Sequence, residues 1–210
     1  MWVSPSHQDT EFQQPLSIEN KITIFEDRTI GWKLDVADQV INGEKQADGC
    51  IERSPIPHSG YATLDIIFSY FEMIAKYEVG FAQTGQSENF FKQGVFSVFS
   101  TIRQAQLPAI IPGVQGKVDS IADYILDVMY EGIRCGLYHS GITNGRVIIT
   151  GEIQQAMGID LQKSVLIINP HLLVKALKGH FVGYITGLRN PNNHRMRQNF
   201  EARFDFDSRG

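Results

Sequence analysis

Apolar residues recur every three or four positions through most of the chain, which is the spacing of a helix with one buried face. The first such stripe is interrupted for one turn at Thr29 and comprises Ile18, Ile22, Phe25, Trp32 and Val36. Ser17 before the stripe and Gly43 after it are typical of a helix start and a helix end. The periodicity predicts helices at about residues 17–41, 61–77, 87–99, 118–139 and 170–188.

The segment at 61–77 differs from the others because it is apolar over most of its circumference. Its polar residues form a single stripe at helical spacing: Asp65, Ser69, Glu72 and Lys76. An exposed helix would be polar over about half of its surface, so this pattern predicts the central helix of the core. Glu72 is then either a functional carboxylate or one half of a Glu72–Lys76 ion pair one turn apart.

Two short runs of β-branched residues interrupt the helical pattern. Residues 146–150 (RVIIT) and 164–168 (SVLII) are bounded by Gly, Asn and Pro, which is typical of strands. Because two strands are only marginally stable alone, we expect them to lean on the helices. The whole pattern predicts a mainly α, up-and-down helical bundle with a small two-stranded β insert at about 146–168.

The length of 210 residues favours a single domain with short appendages. Residues 1–16 are polar and contain two prolines, which predicts a flexible N-terminal arm. The helical domain then covers 17–189. Residues 190–210 are predicted to form a basic, Phe-containing tail, and five arginines stand against three acidic residues between 189 and 209.

Composition places the chain among ordinary globular proteins, with 42% hydrophobic and 20% charged residues. No run approaches the ~18 apolar residues of a membrane helix, and the first residues lack the pattern of a secretory signal, so we expect a cytoplasmic protein. The net charge of −4 excludes the general basic excess of proteins that bind nucleic acid without sequence preference. Any nucleic-acid function therefore depends on a local basic site.

Common motifs of cofactor and metal chemistry are missing from the sequence. Cys50 and Cys135 form no CxxC pair, which argues against a disulfide framework and against a structural zinc site. No P-loop, dinucleotide-binding glycine motif, HExxH or GxSxG occurs, and no two of the six histidines are four residues apart. We therefore expect neither a metal nor a cofactor.

One pair of residues suits phosphate chemistry: Arg134 and His139, near the end of the 118–139 helix. Histidine titrates near neutral pH, so His139 can take a proton from a ribose 2′-hydroxyl or give one to the leaving 5′-oxygen. The guanidinium of Arg134 can bind a phosphate in a fork and stabilise the charge that builds on its oxygens. Gly132 and Gly136 leave room for a second chain or a backbone segment to come close.

The segment 130–139 (YEGIRCGLYH), with the long apolar helix before it and another helix after it, resembles the R-x(4–6)-H region of the HEPN superfamily (higher eukaryotes and prokaryotes nucleotide-binding domains). The resemblance covers residues 60–190. It implies an α-helical, usually dimeric fold with metal-independent endoribonuclease activity in many members, the Arg and His of two protomers facing each other across a composite cleft. By position, Arg134 would bind and activate the phosphate, and His139 would act as general acid or base.

The resemblance also implies a homodimer with the 118–139 helix near its two-fold axis. Tyr138 and Ser140 would be hydrogen-bond helpers, and Glu131 and Cys135 complete the candidate site. The position of Cys135 is often polar in active members.

Other interpretations of the same residues remain open. Some members of the superfamily are catalytically inactive and serve as nucleotide- or RNA-binding modules, as partners of another protein, or as structural dimers. Arg134 can instead pair with Asp127 or Glu131 on its own helix, and His139 can simply cap the helix end. Cys135 can be a buried structural thiol.

A second, weaker candidate lies near the end of the chain. Arg195 and Arg197, next to His194, have the charge needed to hold a phosphate backbone of a nucleic acid. A solvated tail accounts for them equally well.

Overall fold

Eight α-helices carry most of the fold in the part of the chain that this computed structural model describes, residues 2–45, 51–104 and 120–209. They are α1 (Ile18–Thr29), α2 (Asp35–Asn42), α3 (Gly60–Val79), α4 (Ser87–Val98), α5 (Ile121–Asp127), α6 (Gly136–Ser140), α7 (Pro170–Arg189) and α8 (His194–Asp207). The prediction of a mainly helical protein is confirmed. Cys50 and the first two residues of the predicted 118–139 helix lie outside the described residues.

Two of the predicted helices contain a wider, π-helical segment in their middle. Ile30–Leu34 joins α1 to α2, and Val128–Cys135 joins α5 to α6. The flanking residues of both segments keep right-handed helical backbone angles, so each pair of α-helices forms one continuous rod. Among the described helices none is long and apolar enough to span a membrane.

The first π-helical segment changes which face of the rod is buried. Leu34, Ala37 and Ile41 lie in the core, whereas Trp32 and Val36 are 53% and 40% exposed. The expectation that Trp32 and Val36 continue the buried stripe is therefore wrong. A π turn accommodates an extra residue between successive turns, so every later side chain points in a new direction, and the gap at Thr29 marks where this happens.

The strands are short. They are β1 (Trp2–Ser4), β2 (His7–Gln8), β3 (Glu44–Lys45), β4 (Ile51–Arg53), β5 (Val147–Ile149), β6 (Met157–Asp160) and β7 (Val165–Ile168). The pairs β1–β2 and β3–β4 are antiparallel hairpins, and the other three strands form a sheet in the order β5-β7-β6.

The β insert has three strands, so the prediction of two was wrong. Strand β7 pairs in parallel with β5 and antiparallel with β6. Strand β6 has the sequence Met-Gly-Ile-Asp, in which Ile159 is the single β-branched residue, and it therefore gave no strand pattern. Strand β6 is formed by its backbone pairing with β7, because its side chains have little preference for strand structure.

Helix α3 lies at the centre of the core, as its composition predicts. Helices α2, α4, α7 and α8 all pack against it. The closest approach is at Gly94 of α4, where a Cβ atom would lie 1.8 Å from the carbonyl oxygen of Phe71. A larger residue at this position would force the two helices apart.

The predicted N-terminal arm contains a hairpin that packs on α1. The Nε of Arg28 donates to the carbonyl oxygen of Val3, and the backbone N–H of Ser6 donates to a carboxylate oxygen of Asp27 at 2.7 Å. A Cβ at Gly31 would lie 2.6 Å from the ring of Pro5, so the hairpin packs closely against the first π-helical segment.

The predicted C-terminal tail is instead mostly helix α8, and it completes the core. Phe200 is fully buried and Phe204 is 3% exposed. The two residues are four apart, but they stand among charged side chains, and a stripe of two residues was too narrow to predict a helix.

Lys21 of α1 is only 8% exposed and attaches α1 to α8. Its Nζ lies 2.6 Å from a carboxylate oxygen of Glu201 and 2.8 Å from one of Asp205. Burial by itself would lower the pKa of Lys21, but hydrogen bonds to Asp205 and Glu201 outweigh it and raise the pKa above 10.5. The ammonium therefore stabilises the folded state.

We expect Lys21→Met to lower the free energy of unfolding in urea by about 1–2 kcal/mol, less than for a fully buried pair because the two carboxylates are 42% and 41% exposed. The folded-state pKa is raised, so the difference from wild type should be full below pH 10.5 and shrink as the pH rises through the folded pKa. Lys175→Met, at an exposed site on α7, is the matched control. Equal stabilities for the two variants would contradict the role of Lys21.

Candidate functional site

The second π-helical segment, Val128–Cys135, carries Arg134, and helix α6 behind it carries His139. The helix ends at Gly141, which has a left-handed backbone with φ of 69°. The chain then turns back along the helix, and the N–H of Asn144 donates to the carbonyl oxygen of Gly132 at 3.0 Å.

Gly132 and Gly136 allow this return, in agreement with the expectation that a backbone segment comes close to them. A Cβ at Gly136 would lie 2.6 Å from the carbonyl oxygen of Ile142, and one at Gly132 would lie 2.8 Å from the side-chain amide of Asn144. The segment that approaches is the chain's own turn after α6. The two glycines thus hold the end of the helix that bears the candidate site.

Arg134 is held by α3 and by two tyrosines. One guanidinium nitrogen, Nη2, donates to a carboxylate oxygen of Glu72 at 3.3 Å. The guanidinium carbon lies 5.8 Å from the ring centre of Tyr130 and 5.5 Å from that of Tyr138, within the range of cation–π attraction. The side chain is 27% exposed and therefore reaches the surface.

The alternative that Arg134 pairs along its own helix is wrong. Asp127 pairs with Lys92 at 2.7 Å, and Glu131 is exposed without an ion pair in the described part of the chain. Glu72 takes their place because the packing of α3 against the π-helical segment brings its carboxylate to the guanidinium. A contact across 62 positions leaves no local pattern in the sequence.

Glu72 bonds to side chains of three elements: α3, α4 and the second π-helical segment. It accepts hydrogen bonds from Lys76 of α3 at 2.6 Å, from Ser87 of α4 at 2.8 Å and from Arg134. The predicted Glu72–Lys76 pair is thus confirmed. Burial would raise the pKa of the Glu72 carboxyl, but the hydrogen bonds from Lys76 and Ser87 and the charges of Lys76 and Arg134 outweigh it, so the pKa is lowered.

His139 is exposed in the last turn of α6, where its charge would also suit the helix end. Its ring lies edge-on to Tyr138, with 5.0 Å between the ring centres, and it makes no hydrogen bond within the described residues. The ring of Tyr138 contacts both the Arg134 guanidinium and the His139 imidazole. The structure therefore brings the predicted pair together through Tyr138 rather than by direct contact.

The remaining predicted residues differ in their surroundings. Ser140 is exposed, and Tyr138 is 75% exposed. Cys135 is a free thiol that is only partly buried, so it is not a fully buried structural thiol. Tyr130 had no predicted role, although its spacing of four residues from Arg134 is one at which side chains on a helix are neighbours.

The two arginines of the weaker candidate site, Arg195 and Arg197, have different surroundings. Arg197 donates to Glu19 at 2.6 Å and to the carbonyl oxygen of Leu188 at 2.7 Å, so it joins α8 to α1 and α7. Arg195 is exposed and lines a cleft of about 670 Å³ between the end of α3, the connection from α7 to α8, and α8 itself. Neither Arg134 nor His139 lines that cleft.

No group of three or more His, Cys, Asp or Glu side chains that could hold a metal ion occurs among residues 2–45, 51–104 and 120–209. The chemical groups around Arg134 and His139 include the Glu72 carboxylate, two phenol rings and the Cys135 thiol.

We expect Glu72→Gln to lower the free energy of unfolding by about 1–2 kcal/mol at pH 7, because the amide keeps the shape but loses the charge that Lys76 and Arg134 need. Since the folded-state pKa of Glu72 is lowered, its contribution should be full above the unfolded value of 4.5 and disappear as the pH falls through the folded pKa. Urea unfolding at several pH values measures this. Glu152→Gln, at an exposed site, should show no such difference.

No protein-family model matches the chain, and neither the curated proteins nor the solved structures contain a match. The function of Arg134 and His139 is therefore inferred from their geometry and chemistry.

Proposed function

We propose that the protein is a HEPN-like, metal-independent endoribonuclease in which Arg134 binds the scissile phosphate and His139 transfers a proton. The observation that supports this most strongly is the arrangement around Tyr138. A guanidinium held by a carboxylate and two aromatic rings shares its contact with Tyr138 with an exposed imidazole that has no hydrogen-bond partner in the described structure. Such an imidazole is available to a substrate.

Arg134 is held in position but keeps hydrogen-bond donors for a ligand. Its contact with Glu72 engages Nη2 alone among the described residues, which leaves other N–H groups of the fork for phosphate oxygens. A guanidinium that is already positioned loses little conformational entropy when the phosphate binds. Arg134 can thus stabilise the additional negative charge of the transition state.

The reaction follows from the chemistry of RNA. The ribose 2′-oxygen attacks the adjacent phosphorus, the bond from phosphorus to the 5′-oxygen breaks, and a 2′,3′-cyclic phosphate and a 5′-hydroxyl result. A base takes the proton of the 2′-hydroxyl, and an acid gives a proton to the 5′-oxygen. One His139 performs one of these transfers, and the His139 of a second copy in a homodimer supplies the other.

A second candidate is a catalytically inactive nucleotide- or RNA-binding or dimerisation module. The observation that favours it is the Tyr138 ring, which contacts both groups and is 75% exposed, so that a base can stack on it. Cys135, next to Arg134, would add only a weak donor. In this case Arg134 and Tyr138 would bind phosphate and base, and His139 would have no catalytic role.

We expect the wild-type protein to cleave single-stranded or structured RNA in EDTA, leaving 2′,3′-cyclic phosphate ends. His139→Ala and Arg134→Ala should each reduce the cleavage rate at least a hundredfold, because each removes a transition-state interaction. His171→Ala is the control, since His171 lies at the start of α7 and bonds to Asn42. The ends are identified by mass spectrometry of the products.

The outcome separates the two candidates. RNA binding that is lost in Arg134→Ala, with no cleavage by any form of the protein, would support the binding module and contradict the ribonuclease. Unchanged binding and cleavage in both variants would exclude both candidates.

A further inference from the structure

The first π-helical segment, Ile30–Leu34, presents a second basic side chain to α3. The Nζ of Lys33 donates to the hydroxyl oxygen of Ser69 at 2.6 Å. Ser69 and Glu72 belong to the same polar stripe of α3, one helical turn apart. Each of the two π-helical segments found in the described residues thus places one cation on this stripe, Lys33 on Ser69 and Arg134 on Glu72. Wide turns of this kind occur frequently at functional sites.

Lys33 and Ser69 line a cleft of about 300 Å³ whose other charged groups are already paired. Lys76 bonds to Glu72, and Nε of Arg203 bonds to a carboxylate oxygen of Asp207 at 3.0 Å. Lys33 has no carboxylate within 4.0 Å among the described residues. It therefore adds an uncompensated positive charge to the cleft.

The other half-buried or buried lysines in the described part of the chain are paired with carboxylates. Lys21 has Glu201 and Asp205, and Lys178 has Asp35 and Asp38; the pKa of both lysines is raised because these hydrogen bonds outweigh burial. Burial lowers the pKa of Lys33, for which no carboxylate opposes the loss of water. A charge withdrawn from water without a partner is unfavourable, and an anion bound in the cleft would remove that penalty.

The groups at Lys33 suit an oxyanion. The ammonium has three hydrogen-bond donors, one of which is used by Ser69. The Ser69 oxygen accepts that bond, so its own hydroxyl proton remains available to the same ligand. Two donors from adjacent elements thus lie 2.6 Å apart at the wall of the cleft.

The cleft adjoins Arg134. Glu72 lines the cleft and also accepts the hydrogen bond from Arg134. Side chains three positions apart on a helix have Cβ atoms about 5–6 Å apart, so the Lys33–Ser69 pair and the Arg134–Glu72 pair are neighbours along α3. A single strand that places one phosphate at Arg134 can place another at Lys33.

We propose that Lys33 and Ser69 form an oxyanion subsite that holds a backbone phosphate of the RNA strand bound at Arg134. The identity of the ligand rests on the proposed function. The subsite positions the strand and takes no part in bond cleavage.

The test measures binding to a short single-stranded RNA with 2′-O-methyl groups throughout, which cannot be cleaved. Fluorescence anisotropy between 50 and 200 mM salt gives the slope of log affinity against log salt. Loss of one phosphate contact should reduce the size of that slope by about 0.7. We expect Lys33→Met to show this change and to weaken binding about tenfold, to a similar extent for different sequences.

Controls separate binding from folding. Lys175→Met removes the same charge at an exposed site of α7 and should leave both the slope and the affinity close to wild type. Lys33→Met should keep or raise the melting temperature, because it removes a desolvated charge. Ser69→Ala should weaken binding less than Lys33→Met.

The outcomes distinguish the subsite from the proposed function. Identical slopes and affinities in Lys33→Met and Lys175→Met would overturn the subsite. They would not contradict the proposed ribonuclease activity. Lys33-dependent RNA binding without cleavage of unmodified RNA would support the subsite and contradict the ribonuclease. If inorganic phosphate raises the melting temperature of the wild type but not of Lys33→Met, while RNA does not bind, the site takes a free phosphate and the assignment to RNA is wrong.

Discussion

The hydrogen bonds that meet at the Glu72 carboxylate are the interactions on which the arrangement of the candidate site depends. Helix α3 is buried over most of its surface, and the Glu72 side chain on it is only 15% exposed, so its carboxylate needs partners within the fold. Glu72 satisfies this requirement by accepting hydrogen bonds from α3, from α4 and from the second π-helical segment. The same contacts that allow a carboxylate in this position also fix Arg134 at the surface.

Both π-helical segments change the direction in which the later side chains of their rod point. A regular helix would continue one face along its length, whereas the wider turns at Ile30–Leu34 and Val128–Cys135 redirect the side chains that follow. In the first rod this exposes Trp32 and buries Leu34. In both rods it accompanies a basic residue that reaches the stripe of α3. The two π-helical segments thus lie beside the polar stripe of α3, at Ser69 and Glu72.

Local patterns predicted the long helices well. Helix α7 begins at Pro170, the predicted position, with the Asn169 side chain accepting from the N–H groups of His171 and Leu172, and Ser17 caps α1 in the same way. Capping and periodicity act within a few residues, so they can be recognised in one sequence. Helix α8 could not be recognised, since Phe200 and Phe204 are buried only because α1 and α3 lie beside them. Strand β6 likewise depends on β7.

The sequence by itself determined the mainly helical class and the central position of α3, and it proposed Arg134 and His139 as the candidate chemistry. Each of these depends on residues that are close together in the chain. Only the tertiary structure decided that Glu72 holds Arg134 and that Lys33 bonds to Ser69 and to no carboxylate of the described residues. These features join residues more than 30 positions apart, and their energies depend on burial and distance, which arise only when the helices have packed.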